Sequence, residues 1–450
     1  MINVIIGLIG LGLVIFLHEL GHLLAAKSVG ITVEAFSVGW GKKLWAKTSN
    51  GTEYRISWLP IGGYCKMQGE HALLRAWQSK SSRIDVEPGD FYAATPLQRI
   101  FVLLAGPVVN FVFAVLVLAA IAIIGYSVQT FPNRIVLAGD YGITETAAEA
   151  ASLQTGDYIL AIDGKKVTSF RDIQTLVGQS ARENLTLQIE RNGAVFETVL
   201  TPTLDTATGA GRIGVYPWVD TTIAEVLPGS PAALAGLKPG DTIVAVNGTP
   251  VDHSIAVESA ISEAGGSSIK LTIDRNGERR TIAVVPGFTE AGNAMLGIQY
   301  RTVTVTSPRY GLFTGLAAGF RESIETLRLT FRGIGLLFQG VDVNQALMGP
   351  VRITYMVGEV ATMGLQGGIA RALLSFFNFL SLISVTLFFM NLLPIPVLDG
   401  GQIVLSLLEM MSRRPLHPRF VYHYQLVGNV LILALMFFAF FNDILFFARG

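Results

Sequence analysis

The sequence has 450 residues and no formal net charge, with 51% hydrophobic and only 15% charged residues. Soluble domains carry roughly 25% charged residues, so this deficit predicts a membrane protein. The balanced charge gives no support to a nucleic-acid partner, and the single cysteine, Cys65, excludes an internal disulfide.

Four stretches are apolar and long enough to cross a bilayer, which takes about 20 residues. They run from Val4 to Ala26, between Arg99 and Arg134, between Arg371 and Asp399, and between Arg419 and Asp443. A signal peptide is the alternative for the first stretch, but residues 1–3 before it include no basic residue, and no small-residue cleavage site follows the stretch. The sequence therefore predicts four transmembrane helices.

Basic residues predict how these helices are oriented. The loop after the first span contains lysines and arginines from Lys27 to Arg99, and the loop between the third and fourth spans contains Arg413, Arg414 and Arg419. The positive-inside rule assigns both loops to the cytoplasm. The termini and the large central segment are then expected on the opposite side of the membrane.

The central segment, from about 128 to 308, is less apolar and repeats internally. Residues 156–164 match residues 240–248, and residues 185–193 match residues 269–277 at the same offset. A shared register of this length indicates two copies of one module. Each copy contains alternating strand patterns, Asp-Gly or Asn-Gly hairpin turns and one helical stretch.

The second copy carries the segment Gly-Ser-Pro-Ala-Ala-Leu-Ala-Gly-Leu-Lys-Pro-Gly-Asp at 229–241, which resembles PDZ domains of bacterial envelope proteases. PDZ domains bind extended peptides by adding a strand to a sheet edge. We therefore predict a multi-span α-helical membrane protein with two mainly-β PDZ-like domains, 128–218 and 219–308, inserted between the second and third spans. The first two spans occupy 1–127 and the last two occupy 372–450.

The remaining segment, 309–371, begins with an amphipathic pattern. Between Tyr310 and Val341, charged residues alternate with leucine, isoleucine and phenylalanine. That charge density disfavours a fifth span and predicts helices lying on or near the outer membrane surface.

The first span contains the sequence His18-Glu19-Leu20-Gly21-His22. On a helix, His18 and His22 project from one face, so both imidazoles can reach one metal ion, whereas Glu19 is placed to act on a water molecule. Zinc suits imidazole and carboxylate ligands. The alternative is a polar helix end solvated at the cytoplasmic interface, but ionisable residues within an apolar span are costly without compensation.

Two histidines leave a zinc site short of a third protein ligand, and we predict that Asp399 provides it. The alternative for Asp399 is a plain Asp-Gly turn where the third span meets the cytoplasm. Asp399 and the histidine pair all lie toward the cytoplasmic ends of their spans, which favours the ligand interpretation.

The HExxH span, the central tandem and the segment Asn391-Leu-Leu-Pro394-Ile-Pro396-Val-Leu-Asp399-Gly-Gly together resemble the bacterial site-2 protease family of the RseP type. The resemblance extends over essentially the whole chain. It implies an intramembrane zinc endopeptidase in which His18, His22 and Asp399 bind Zn²⁺ and Glu19 is the general base. It also implies that Asn110, in Ala-Gly-Pro-Val-Val-Asn at 105–110, lies near the site, and we expect Asn110 to contact the substrate.

Cleavage of a helical substrate requires local unwinding, and two features could hold the unwound strand. The Gly62-Gly63 segment is similar to the family's membrane-dipping β-hairpin, which could pair with substrate backbone. Asn391 could bridge to the same backbone, while Pro394 and Pro396 break the third span and free carbonyl groups.

The family implies partners that are single-span membrane proteins, such as an anti-sigma factor already cut by another protease, and remnant signal peptides. The lipid bilayer is the other expected partner. The resemblance places such a protein in the bacterial inner (cytoplasmic) membrane, with its PDZ domains periplasmic or extracellular, where they would exclude substrates with bulky outer domains.

Two other functions deserve comparison with this one. A non-enzymatic membrane scaffold would have no reason to keep Glu19 beside two metal ligands. A metal transporter would offer ionisable residues in several spans, whereas the second and fourth spans contain no Asp, Glu, Lys or Arg. Both patterns favour the enzyme.

Overall fold

The computed structural model describes residues 2–289, 292–342, 348–365 and 367–449, and it divides into two compact units. The first unit combines Met1–Tyr126 with Pro308–Gly450, and the second is Ser127–Ser307. Among the described residues of the first unit, four helices are long and apolar enough to cross a membrane. They are α1 (Ile2–Ser28), α3 (Pro96–Ile124), α10 (Ile369–Asn391) and α12 (Pro418–Arg449). The prediction of four apolar helices around a β-rich PDZ-like insertion is confirmed.

The first unit also contains shorter or more polar elements. Among its described residues, the other helices are α2 (Glu70–Gln78), α8 (Leu312–Leu337), α9 (Pro350–Leu365) and α11 (Asp399–Ser412), with one 3₁₀ turn at Phe91–Ala93. Its two strands, β1 (Val33–Ser49) and β2 (Thr52–Met67), form one long antiparallel hairpin. Asn50 and Gly51 both have positive φ at the tip, as a two-residue hairpin turn requires.

Helix α3 shows how local sequence starts a span. Thr95 caps the helix in a reciprocal capping box with Gln98, and Pro96 occupies the first turn, where no amide is needed. Pro107 lies inside the helix and cannot donate to the carbonyl four residues earlier. The helix continues past Pro107 because its apolar side chains are more stable in the bilayer than in water.

Close packing around α1 depends on glycine. A Cβ atom on Gly21 would lie 2.4 Å from the carbonyl oxygen of Ala105 in α3. A Cβ atom on Gly7 would lie 1.8 Å from the carbonyl oxygen of Thr354 in α9. Small residues let helix backbones approach in a membrane, where apolar area alone does not drive association. Helix α1 is therefore held between α3 and α9.

Helix α8 packs along α3, again through small residues. Gly315 faces Ile123, and Gly319 lies against the backbone of Ala119. Phe320 forms an edge-to-face pair with Phe111 further along α3. The expectation that the segment 309–371 lies on the outer membrane surface stays a prediction, and its residues 343–347 and 366 lie outside the described residues.

The fourth span continues past Asp443, which bounded the predicted stretch. Asp443 is 2% exposed and accepts hydrogen bonds from the backbone amides of Gly349, Val351 and Arg352, at 2.8, 3.0 and 3.1 Å. These amides belong to the start of α9, where helical amides have no internal partner. The carboxylate thus caps α9 from α12, which makes its burial tolerable.

The second unit contains the two sequence copies. The first copy comprises β4 (Ile135–Leu137), β5 (Tyr158–Ile162), β6 (Lys165–Lys166), β7 (Leu185–Arg191), β8 (Ala194–Leu200), β9 (Thr203–Leu204), β10 (Gly211–Arg212) and β11 (Val215–Pro217), with α4 (Ala147–Ala150) and α5 (Phe170–Gly178). The second comprises β12 (Ile223–Val226), β13 (Thr242–Val246), β14 (Thr249–Pro250), β15 (Ile269–Arg275), β16 (Glu278–Val284), β17 (Gly287–Phe288), β18 (Ala294–Met295) and β19 (Ile298–Tyr300), with α6 (Pro231–Leu234) and α7 (Ser254–Glu263). Strands β3 (Ser127–Thr130) and β20 (Val303–Thr306) pair with each other at the two ends of the unit.

The two copies have the same sheet order, β6-β5-β7-β8 and β14-β13-β15-β16. Each also contains an equivalent ion pair between a buried aspartate and a partly exposed arginine, Asp157 with Arg191 at 2.7 Å and Asp241 with Arg275 at 2.6 Å. Burial alone would raise the pKa of Asp241, but hydrogen bonds from Arg275 and from the backbone of Lys238 hold it below its ordinary value. The repeat in sequence is thus a repeat in structure.

Candidate metal centre

Helix α1 brings the two histidines of the HExxH sequence together. Because four residues make about one helical turn, His18 and His22 stack on one face, and their Nε2 atoms are 3.2 Å apart. His22 is buried, with a relative exposure of 6%. Both ring nitrogens therefore point into the same small volume inside the first unit.

Asp399 completes the cluster from the other end of the chain. It is the first residue of α11, and its Oδ2 atom is 3.3 Å from Nε2 of His18 and 3.5 Å from Nε2 of His22. The predicted set His18, His22 and Asp399 is the group of three that could hold a metal ion among the described residues. The structure brings the predicted ligands together.

The geometry of this cluster fits zinc. Zinc lies about 2.0–2.1 Å from nitrogen and oxygen ligands, and tetrahedral angles then place ligand atoms about 3.3 Å apart. The three separations here, 3.2, 3.3 and 3.5 Å, match that spacing. Within the described part of the chain, Oδ2 of Asp399 is buried without a hydrogen-bond partner, as expected of an atom whose partner is a cation.

The surroundings of His22 fix which of its nitrogens is available. Its Nδ1–H donates to the carbonyl oxygen of Val102 in α3 at 2.9 Å, which leaves the Nε2 lone pair for a metal. A Cβ atom on Gly106 would lie 2.3 Å from that Nε2 atom. Gly106 therefore makes room for the imidazole, a role that sequence reasoning missed. The signal was the run of small residues Ala105-Gly106 in the second span.

Asn110 lies beside the other histidine. It is fully buried in α3, and its side-chain amide is 3.5 Å from Nδ1 of His18. The amide atom nearest to His18 is Nδ2, and Oδ1 is buried without a hydrogen-bond partner within the described residues. If the two amide atoms are exchanged by a 180° flip, Oδ1 would accept the Nδ1–H of His18 and leave Nε2 free to bind a metal. This burial favours orientation of His18 over the substrate contact expected for Asn110.

Glu19 lies next to the metal ligands and against strand β2. Its carboxylate accepts a hydrogen bond from the backbone amide of Cys65. A Cβ atom on Gly63 would lie 3.3 Å from Cγ of Glu19, so the missing side chain leaves the strand close to this carboxylate. Gly62 has a φ of +98°, which favours glycine. The structure therefore brings the predicted Gly62-Gly63 segment to the proposed base.

The segment between α10 and α11 leads from Asn391, the last residue of α10, to Asp399. It is compact: the amide of Ile395 donates to the carbonyl of Leu393 at 2.7 Å, and a Cβ atom on Gly401 would lie 2.1 Å from the carbonyl oxygen of Ile395. Pro394 and Pro396 lie within this turn, where no helical amide is required.

Val397 has an unusual backbone within this turn. Its φ is +85°, a conformation that a β-branched residue rarely adopts. Such strain persists only where the surrounding structure imposes it, and it clusters at functional sites. Val397 precedes Asp399 by two residues, so the strained turn positions the carboxylate. Sequence reasoning missed this residue because nothing in its type indicates a positive φ.

Known proteins resemble this chain over nearly its full length. A model of peptidase family M50 matches residues 6–435. A protein of Treponema pallidum (strain Nichols) named as a zinc metalloprotease is 42% identical, with 99% of each chain covered. A protein of Pasteurella multocida (strain Pm70), also named as a zinc metalloprotease, is 32% identical, and the regulator of sigma-E protease RseP of Escherichia coli (strain K12) is 29% identical. Both of these matches cover 97% of each chain.

Proposed function

Because this chain belongs to peptidase family M50, we propose that it cleaves single-span membrane proteins inside the bilayer, with Glu19 as general base. The chain is a multi-pass membrane zinc metalloprotease similar to RseP over its full length. The observation that carries the proposal is the convergence of three groups beside Glu19: His18 and His22, in a helix long enough to cross a membrane, and Asp399, at the start of α11.

The proposed ligands are His18, His22 and Asp399. A zinc ion held by them would polarise a peptide carbonyl and make a neighbouring water more acidic. Glu19 accepts a proton from the water whose oxygen attacks the carbonyl carbon. It returns that proton to the leaving nitrogen as the carbon–nitrogen bond breaks. The Cys65 amide supports this role, because its hydrogen bond orients the carboxylate.

We propose that the backbone of β2 near Gly62 and Gly63 holds an unwound substrate strand by strand addition. The proximity of Gly63 to Glu19 supports this, since a strand paired there would bring its carbonyl groups near the base. Asn391 would bind the same strand from the end of α10, and the turn containing Pro394 and Pro396 would keep that position non-helical. Asn110 would orient His18.

The proposed substrates are membrane proteins with one span that another protease has already trimmed, such as a cleaved anti-sigma factor, together with remnant signal peptides. The name of the Escherichia coli relative, a regulator of sigma-E protease, supports this class. We place the protein in the bacterial inner membrane with its PDZ-like unit outside the cytoplasm, as the basic residues of the loops indicate.

The decisive experiment compares wild type with Glu19→Gln in the purified full-length protein. Zinc content is measured by elemental analysis, and cleavage is measured with a single-span substrate in detergent. The variant should keep its zinc and lose cleavage by about 10²–10⁴-fold, because only proton transfer is removed. Glu87→Gln, an exposed control of the same chemistry, should behave as wild type. Normal cleavage by Glu19→Gln would refute the assignment, and loss of zinc would make Glu19 a ligand.

A further inference from the structure

A cavity of ≈ 220 Å³ lies apart from the metal centre, between the start of α3, the start of α12 and one side of α11. Arg83 and Arg99 line it from the segment before α3 and from the first turn of α3, respectively. Glu409 lines it from α11. Apolar side chains complete the wall, including Leu405 and Val421. The metal site and the proposed mechanism use none of these residues.

Arg99 lines this cavity with a buried guanidinium group that is only partly hydrogen-bonded. It is 5% exposed, and one of its terminal nitrogens, Nη2, pairs with Oε2 of Glu409 at 2.7 Å. Its Nε–H is buried and finds no hydrogen-bond partner within the described part of the chain. A buried donor on a charged group is costly to leave unsatisfied. The side chain therefore has a free position for an acceptor, and it borders a cavity that could hold one.

The charge of the lining selects the kind of acceptor. Two arginines and one glutamate give a formal charge of +1 around the cavity. Glu409 pairs with the buried Arg99, so the net positive charge is carried by the exposed Arg83, while Arg99 offers inside an Nε–H donor that is unpaired among the described residues. A monoanionic phosphodiester matches this charge and offers strong acceptor oxygens for guanidinium groups. The apolar side chains would suit the glycerol and upper acyl carbons attached to it.

The level of the cavity relative to the spans points to lipid. Helices α3 and α12 begin at Pro96 and Pro418, and the cavity lies beside their first turns. At about 1.5 Å per residue, a 29-residue helix such as α3 exceeds the roughly 30 Å hydrocarbon core. Its first turn therefore reaches the headgroup region. Basic pockets between helix ends at this level are suited to anionic headgroups.

We propose that this cavity binds the headgroup of one anionic phospholipid, whose phosphodiester accepts hydrogen bonds from Nε of Arg99 and from Arg83. Helix α11 forms one wall and begins at Asp399, so an occupied cavity stabilises the helix that carries this carboxylate. The lipid thereby contributes to the stability of the first unit, independently of substrate.

The test uses the full-length protein in detergent, titrated with short-chain phosphatidylglycerol or phosphatidylcholine and followed by native mass spectrometry. Wild type should retain one phosphatidylglycerol at least about tenfold more tightly than phosphatidylcholine. Arg83→Gln and the double variant Arg99→Gln/Glu409→Gln should each lose most of this preference, because each removes a guanidinium donor. In the double variant, the two amides can still pair where the ion pair was, which preserves the packing. Arg75→Gln removes an exposed arginine that does not line the cavity and should retain the preference.

Each alternative outcome has a distinct meaning. Equal retention by wild type, Arg83→Gln and the double variant overturns the site. An equal loss in Arg75→Gln assigns the effect to general surface charge and also overturns it. Inorganic phosphate is the last competitor to be tested. If it displaces phosphatidylglycerol and raises the melting temperature of the protein as much as phosphatidylglycerol does, the ligand is free phosphate and the lipid proposal fails. If the double variant does not fold, Arg83→Gln alone still decides.

Discussion

Substituting Gly106 by alanine tests whether α3 positions the metal ligand of α1. The added Cβ would lie 2.3 Å from Nε2 of His22, whereas ordinary contacts begin at 3.4 Å. The imidazole or the helix must therefore move by at least about 1 Å, and a misplacement of that size costs about 10²-fold in rate. His22 would also lose its alignment with Val102, whose carbonyl fixes the nitrogen that binds metal.

The assay measures zinc affinity first and cleavage second. Gly106→Ala should weaken zinc binding by at least about tenfold in competition with a chelator, and cleavage should fall by about 10²-fold. Gly333→Ala is the matched control, because this glycine lies in α8 with open space around its Cβ position. The control should bind zinc normally and gain slight helix stability. Wild-type zinc affinity in Gly106→Ala would refute the packing described for His22.

Asp399→Ala should abolish both zinc retention and cleavage, because two imidazoles leave the metal under-coordinated; unchanged zinc stoichiometry would mean that the third ligand lies elsewhere. Val397→Gly should keep zinc and melt at or above the wild-type temperature, since glycine accepts a φ of +85° without strain. Val397→Pro, whose φ is fixed near −65°, should lose zinc. Equal zinc content and equal melting temperature of the two variants would show that the turn is not strained. Residues 128–305 can be excised because β3 and β20 pair Ser127 with Thr306, so the two ends can be joined. After excision, cleavage of a substrate with an intact outer domain should rise relative to cleavage of a trimmed one. Loss of cleavage of both substrates would assign substrate delivery to the PDZ-like unit.

Local patterns in the sequence predicted much of the architecture. Long apolar runs predicted the four apolar helices, because twenty apolar residues have few other stable environments. The constant repeat offset predicted two equivalent modules, and the ion pairs Asp157–Arg191 and Asp241–Arg275 repeat with it. The spacing of His18 and His22 needed only helical geometry to place both imidazoles on one face.

The tertiary structure alone decided how these parts meet. Rotation of α1 against α3 is set by glycine contacts such as Gly21 with Ala105, and those contacts determine that His22 reaches Val102 and Gly106. The capping of α9 by Asp443 likewise arises between segments distant in sequence. Hydrophobic periodicity records which residues avoid water, but it does not record which helix face meets which neighbour. That choice is made by steric fit between backbones, and it exists only in the folded chain.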